Sequence, residues 1–427
     1  MENRLSGVRS EGSRQRRKQK RTTDEAGRIA DPFEKCREFK EAKLLIEQGV
    51  YPYFCPIEEN HGPRVIMDGR EMIMFGSNNY LGLTMDPRVQ EAATRAVQRF
   101  GTSCSGSRFL NGTLALHEEL ECRLADFVKK PAALAFSTGY QTNLGVISAL
   151  LDAQTVILAD KGTHACVFDG VFLGAGLNSR VKMRRYKHND VGHLECLCAA
   201  MDPDLSKLIV TDGVFSMEGD IGDVPGLVDI CNRYNGRLFV DDAHGLGVMG
   251  RTGRGTLEHF DIFESVDLVT CTFSKAFASL GGFVAGEKEV IDYVKHRSRP
   301  LIFSASMPPA NVAAALKSLE IILAEPHRIA ALQEKSDRMR RGLQSVGLDT
   351  GESETPIVPI LVRDNMRTFL FWKALFEAGI YTNPVVSPAV PPDRSLIRTA
   401  IMATHSEEDL DRVLDTMEKI AKQMEII

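Results

Sequence analysis

At 427 residues, 43% hydrophobic and 26% charged, the chain has the make-up of a globular protein large enough for two substantial cores. Its formal net charge of -5 excludes bulk affinity for nucleic acid. Nine cysteines, an odd number with no CxxC pair, argue against a disulfide framework and a zinc site, so a reducing, cytoplasmic setting and no metal are expected.

Residues 1–27 are rich in Arg, Lys, Ser and Gly around Arg14-Gln-Arg-Arg-Lys-Gln-Lys-Arg21. Too few apolar residues are present there to bury, which predicts a disordered, solvated basic arm able to touch anionic lipid or nucleic acid. No apolar core of a secretory signal follows it, and no later run is long enough to span a bilayer. Residues 28–75 read as an N-terminal helix and an extended arm. The spacing of Phe33, Cys36, Phe39, Ala42 and Leu45 predicts one amphipathic helix over residues 32–48, and Asp68-Gly69 marks a hairpin turn.

A large domain is expected over residues 76–309. Helices are predicted at 87–100 and 113–128, separated by a Gly/Ser-rich loop. Residues 132–140 read as a strand, a tight turn and a helix start at Gly139 and Tyr140, where backbone N–H groups favour a phosphate. Strands follow at 155–159 and 207–212, with His164 opening a helix and Ser216 just past a strand end. Strands alternating with helices from 132 to 285 predict an α/β fold with a mostly parallel sheet covered on both faces. A Pro308-Pro309 start opens a helix into a smaller C-terminal α+β domain, 310–427, in which Arg398 lies on a β-like run.

Two strand ends carry chemistry. One apolar strand runs into Thr272, Ser274 and Lys275, and then the pair Gly281-Gly282. A lysine there either snorkels to solvent or, with its pKa lowered by burial, acts as a nucleophile toward a carbonyl, as in enzymes that use pyridoxal 5'-phosphate (PLP). The other strand delivers Asp241 and, three residues on, His244. Asp241 alone suits a helix N-cap and His244 a turn. Together with a strand-end lysine about thirty residues downstream, they suit a carboxylate that keeps a pyridine nitrogen protonated and an imidazole bonded to the ring oxygen.

From Gly76 to the C-terminus the chain resembles the α-oxoamine synthase family of fold type I PLP enzymes. The resemblance rests on Gly76-Ser-Asn78-Asn79-Tyr80, Gly106-Ser-Arg108, Phe136-Ser-Thr-Gly139-Tyr140, Thr163-His164-Ala165, Asp212-Gly-Val-Phe-Ser216, Asp241-Asp-Ala-His244, Thr272-Phe-Ser274-Lys275 and Phe303-Ser-Ala-Ser306. It implies a large domain with a seven-stranded sheet, and PLP carried on Lys275. It further implies that Gly139, Tyr140, Thr272 and Ser274 surround the phosphate, and that Ser216, Asp241 and His244 contact the cofactor. His164 is implied to stack on the ring and meet the substrate carboxylate, with Asn78 and Arg398 at the same carboxylate. Without the resemblance, Arg398 reads as a surface ion pair.

Family members are homodimers with a shared active site. They condense an amino acid with an acyl thioester, on coenzyme A or a carrier protein, and release carbon dioxide. The motifs favour L-serine and a long-chain acyl group, giving 3-ketodihydrosphingosine. Alternatives are alanine with a pimeloyl thioester and glycine with acetyl-CoA. A non-catalytic paired subunit is disfavoured because Lys275 is present.

Overall fold

The computed structural model describes residues 31–177 and 181–427, and the expected basic arm lies outside them. Two compact units are present, one ending at Tyr51 and the other spanning Pro52–Ile427. In the first, the single helix expected over residues 32–48 is instead two, α1 (Glu34–Glu38) and α2 (Glu41–Glu47), interrupted where Phe39 takes an extended backbone. Neither helix buries a residue, so no packing offsets the cost of ordering a longer one. Phe33, Phe39, Leu44 and Ile46 are left exposed.

The second unit begins with β1 (Glu59–Asn60), β2 (Arg64–Met67) and β3 (Arg70–Met74). Asp68 and Gly69 both have positive φ, 49° and 65°, the turn geometry that joins β2 to β3 with the natural strand twist. Helices α3 (Pro87–Phe100) and α4 (Ala115–Phe127) follow. The loop between them is anchored by Arg108, whose guanidinium donates to both oxygens of Glu121 at 2.7 and 3.1 Å. Glu121 in turn accepts the Ala135 N–H at 2.8 Å, so loop, helix and sheet are tied at one buried ion pair.

The central sheet is built from β4 (Ala132–Phe136), β5 (Thr155–Asp160), β6 (Lys182–Tyr186), β7 (Ser206–Asp212), β8 (Gly236–Asp241), β9 (Leu268–Thr272) and β10 (Gly282–Gly286). Its seven strands run in the order β4-β10-β9-β8-β7-β5-β6. β6, β5, β7, β8 and β9 are parallel, and β10 is antiparallel to both its neighbours. Successive residues of one strand enter different cores. Ile157, Val210 and Phe239 pack on one side with α5 (Gly139–Leu150) and α6 (Ala165–Leu177), while Leu158, Ile209 and Val240 pack on the other. Both faces are therefore covered, which is why these strands read as unbroken apolar runs.

The remaining strands are β11 (Ile357–Leu361), β12 (Ile380–Tyr381), β13 (Asn383–Val385) and β14 (Leu396–Ala400). β11, β14 and β13 form a three-stranded sheet, and β12 joins β3 in a four-stranded one. Among the described residues no helix is long and apolar enough to cross a membrane.

Candidate active site

Ligands in an open α/β sheet gather beyond the carboxyl ends of its strands. Here Asp212 ends β7 in register with Asp241, which ends β8 in register with Thr270 of β9. Lys275 follows three residues after β9. All three line one cavity of about 160 Å³, together with Gly139, Tyr140, His164, Ser216, His244, Thr272 and Ser274. Nine of the eleven sequence-predicted site residues therefore share a single wall, and the other two, Asn78 and Arg398, stand behind it.

Lys275 is half-buried in the cavity wall, and desolvation there lowers its pKa to about 8 against the opposing pull of Asp241 and Cys271, with Arg398 adding to the drop. Asp241 is held at both oxygens. Oδ2 accepts from Asn143 Nδ2 at 2.5 Å and Oδ1 from the Ala243 N–H at 3.1 Å. His244 is buried and its imidazole is driven well below its ordinary range by that burial, so the ring is neutral. Its Nδ1 is 2.7 Å from the Tyr80 hydroxyl.

A cradle suited to a phosphate faces these groups. Thr138 caps α5 by accepting the Gln141 N–H at 3.0 Å, and the first turn of the helix, at Gly139 and Tyr140, lines the cavity. Thr272 and Ser274 add hydroxyls 2.8 Å apart. A Cβ on Gly139 would sit 2.6 Å from Thr272 Cβ, so glycine is what lets the helix start approach β9 this closely. Tyr140 is partly exposed and donates its hydroxyl to Asp169 at 2.6 Å.

Arg398 lies on β14 and is 5% exposed, which overturns the surface ion-pair alternative. Its Nε donates to the Ser216 carbonyl at 2.5 Å and its Nη2 to Asn78 Oδ1 at 2.9 Å. Among the described residues it forms no ion pair, so a buried cation stands beside the cavity with neutral oxygens for company. A carboxylate ligand is what such a group lacks. His164 is exposed at the cavity mouth, where partial desolvation lowers its pKa against the opposing pull of Asp241, and its main-chain N–H is 3.5 Å from Asp212 Oδ1.

Sequence reasoning gave no site role to Tyr80 or Asp212, though both lie in its motif blocks, and did not pick out Asn143 or Cys166. Asp212 was available from its position at a strand end, and Tyr80 from its place beside Asn78. Asn143 sits one turn into α5 and carried no signal of its own. Elsewhere His188, Glu218 and Asp220 bring potential metal-ligand atoms within 4.8 Å of one another. His188 is sandwiched 3.1 Å from Asp160 and 3.1 Å from Asp220. Burial works against its charge, but these two carboxylates outweigh it and raise its pKa to about 10, so the group reads as an ion-paired imidazolium.

Residues 70–417 match the family of class I and II aminotransferases. The chain belongs to that family. Within this aminotransferase family it is 48% identical over 393 residues to a serine palmitoyltransferase of Sphingobacterium spiritivorum, covering 92% of this chain and 97% of that one. It is 40% identical over 395 residues to an 8-amino-7-oxononanoate synthase of Thermoanaerobacter pseudethanolicus, covering 92% and 97%. A solved structure of serine palmitoyltransferase with PLP internal aldimine superposes with a TM-score of 0.89 at 32% identity, covering 93% of this chain and 100% of that one. The aminotransferase-family fold, with its seven-stranded mostly parallel sheet, is thus the fold type I arrangement expected from the motifs.

Proposed function

We propose that the chain is a PLP-dependent α-oxoamine synthase of the serine palmitoyltransferase type. It condenses L-serine with a long-chain acyl thioester, releases carbon dioxide and yields 3-ketodihydrosphingosine. The observation that carries this reading is that Lys275 and Asp241 line one cavity beside a buried, unneutralised Arg398. The 48% identity to a serine palmitoyltransferase supports the choice of serine and of a long acyl chain.

The residues fit PLP. The cradle of Gly139, Tyr140, Thr272 and Ser274 suits its phosphate, Asp241 suits its ring nitrogen, and the imidazoles of His164 and His244, the latter neutral, stand in the same wall. When bound, PLP supplies a protonated pyridine that accepts the electron pair left at the amino acid's Cα. Lys275, with a pKa near 8, takes the Cα proton and returns one later. Asp241 holds the ring-nitrogen proton, its orientation fixed by Asn143 and Ala243. Arg398 grips the substrate carboxylate with the help of Asn78, which holds the guanidinium plane. His164 Nε2 donates to the same carboxylate.

The protein works as a homodimer with a shared site, a reading supported by the exposed apolar residues Phe33, Phe39, Leu44 and Ile46 and by exposed Phe303. A cytoplasmic setting accords with nine free cysteines, and a long-chain product accords with peripheral membrane contact. Residues 76–309 act as the cofactor domain and 310–427 as the smaller domain that brings Arg398.

Purified protein supplied with PLP, one amino acid and one thioester tests the assignment. Serine with palmitoyl-CoA should give the long-chain amino ketone by mass spectrometry. The 40% identity to an 8-amino-7-oxononanoate synthase makes alanine with pimeloyl-CoA the second reading. Turnover of that pair, without turnover of serine, would replace the first.

A further inference from the structure

Asn143 and Cys166 line the same cavity, and their hydrogen bonds join Asp241 to His164. We propose that Asn143 and Cys166 are positioning residues, a single buried bridge that fixes Asp241 and His164 relative to one another. The inference rests on the PLP-dependent reading above and deepens it.

Asn143 is 2% exposed, and every polar group of its amide is engaged. The two hydrogens of Nδ2 serve two acceptors, Asp241 Oδ2 at 2.5 Å and Cys166 Sγ at 3.1 Å. Its Oδ1 accepts from Thr270 Oγ1 at 2.8 Å. Rotating the amide by half a turn would set Oδ1 against the Asp241 carboxylate, so the orientation is determined by chemistry. On the far side, Cys166 is buried, and burial pushes its thiol pKa up, so the sulfur keeps its proton. The sulfur lies 2.9 Å from His164 Nδ1, and because that Nδ1 already accepts a main-chain N–H, the thiol is the donor in this contact. The Cys166 main-chain N–H points at the same Nδ1 from 3.3 Å.

Two donors converging on Nδ1 leave the imidazole proton on Nε2. The bridge therefore sets two things at once, the direction of the Asp241 lone pairs and the tautomer of His164. A group assigned to the ring nitrogen and a group assigned to the substrate carboxylate become parts of one unit.

The test uses full-length protein labelled with 15N-histidine, without added PLP, and then the PLP-loaded enzyme. The histidine signal lost in H164Q identifies His164. In the wild type it should show the Nε2-protonated tautomer, C166S should keep it, and C166A and N143A should gain a larger share of the other tautomer. In loaded enzyme, C166A should raise the KM for serine by roughly 3- to 10-fold with a smaller change in kcat, and C166S should restore it. N143A should weaken PLP retention as well, and N143A/C166A should match N143A, because both changes break one bridge. An unchanged tautomer in C166A and N143A would overturn the proposal, as would C166S no better than C166A or losses that multiply in the double variant. A wild-type protein that takes up no PLP would sink the functional reading instead, and the tautomer measurement would still decide the bridge.

Discussion

Asp212 and Asp241 end neighbouring parallel strands as register partners, so two carboxyl groups meet on one wall of the cavity. Burial, and then the proximity of Asp241, hold the Asp212 carboxyl well above the usual carboxylate range and favour its neutral form. Asparagine imitates a neutral acid. Asp212→Asn should cost less than about tenfold in kcat/KM, whereas Asp241→Asn should cost ~100-fold or more because the ring-nitrogen proton loses its acceptor. Steady-state kinetics of the two variants check this, and equal losses would show that Asp212 is needed as a carboxylate.

Lys275→Ala should retain the fold and lose turnover by roughly 1,000-fold or more, the scale of a missing general base together with a missing anchor. Borohydride treatment of the PLP-loaded wild type should leave the cofactor mass on the peptide containing Lys275. Mass spectrometry that finds the label on another lysine would refute the site.

Arg398→Lys keeps a positive charge but gives up the planar fork, and the hydrogen bonds to Ser216 and Asn78 depend on that fork. The expected result is a KM for the amino acid raised roughly 10- to 100-fold, with a smaller change in kcat. A KM unchanged by the substitution would remove Arg398 from the substrate contact.

Arg108→Ala strands Glu121 with its charge buried under β4, beside the Ala135 N–H. Breaking a buried pair from one side costs on the order of 3 kcal/mol. Urea denaturation should report a loss of that size. The paired substitution Arg108→Met with Glu121→Leu should recover part of it.

Stability should fall on both sides of neutrality for nameable reasons. Burial lowers the pKa of His405 from 6.5 to about 4, so the unfolded chain binds the proton more readily. Its contribution is complete above pH 6.5 and is lost as pH falls through 4. His188, raised to about 10, behaves in the opposite sense, contributing fully below 6.5 and losing that contribution as pH rises through 10. Thermal melts across this range should flatten on the acid side in His405→Gln and on the alkaline side in His188→Asn. Curves parallel to the wild type would contradict the assignments.

Asp241, His244 and Lys275 were legible in the sequence because each ends or closely follows a buried strand, and a strand's carboxyl end is where an α/β sheet exposes function. Gly139 was legible for a related reason, as the start of a helix after such a strand. Arg398 needed the family resemblance, since an arginine on a short β-like run looks the same whether it faces water or a core. Asn143 and Cys166 were hidden because helix periodicity reports burial and says nothing about which side chains will meet across elements. The break between α1 and α2 was hidden for the converse reason. The apolar spacing marks a face, and that face buries none of its residues within the unit.

The pairing of β3 with β12 sets Ile73 against Ile380 and Met74 against Tyr381. A ribosome making about 5–20 residues per second needs on the order of 15–60 s to deliver the second strand after the first. Throughout that interval Met72, Ile73 and Met74, all enclosed in the finished molecule, present an uncovered edge to the surroundings. Translation pace, more than the strength of any one contact, governs how long a nascent chain is open to the wrong neighbour.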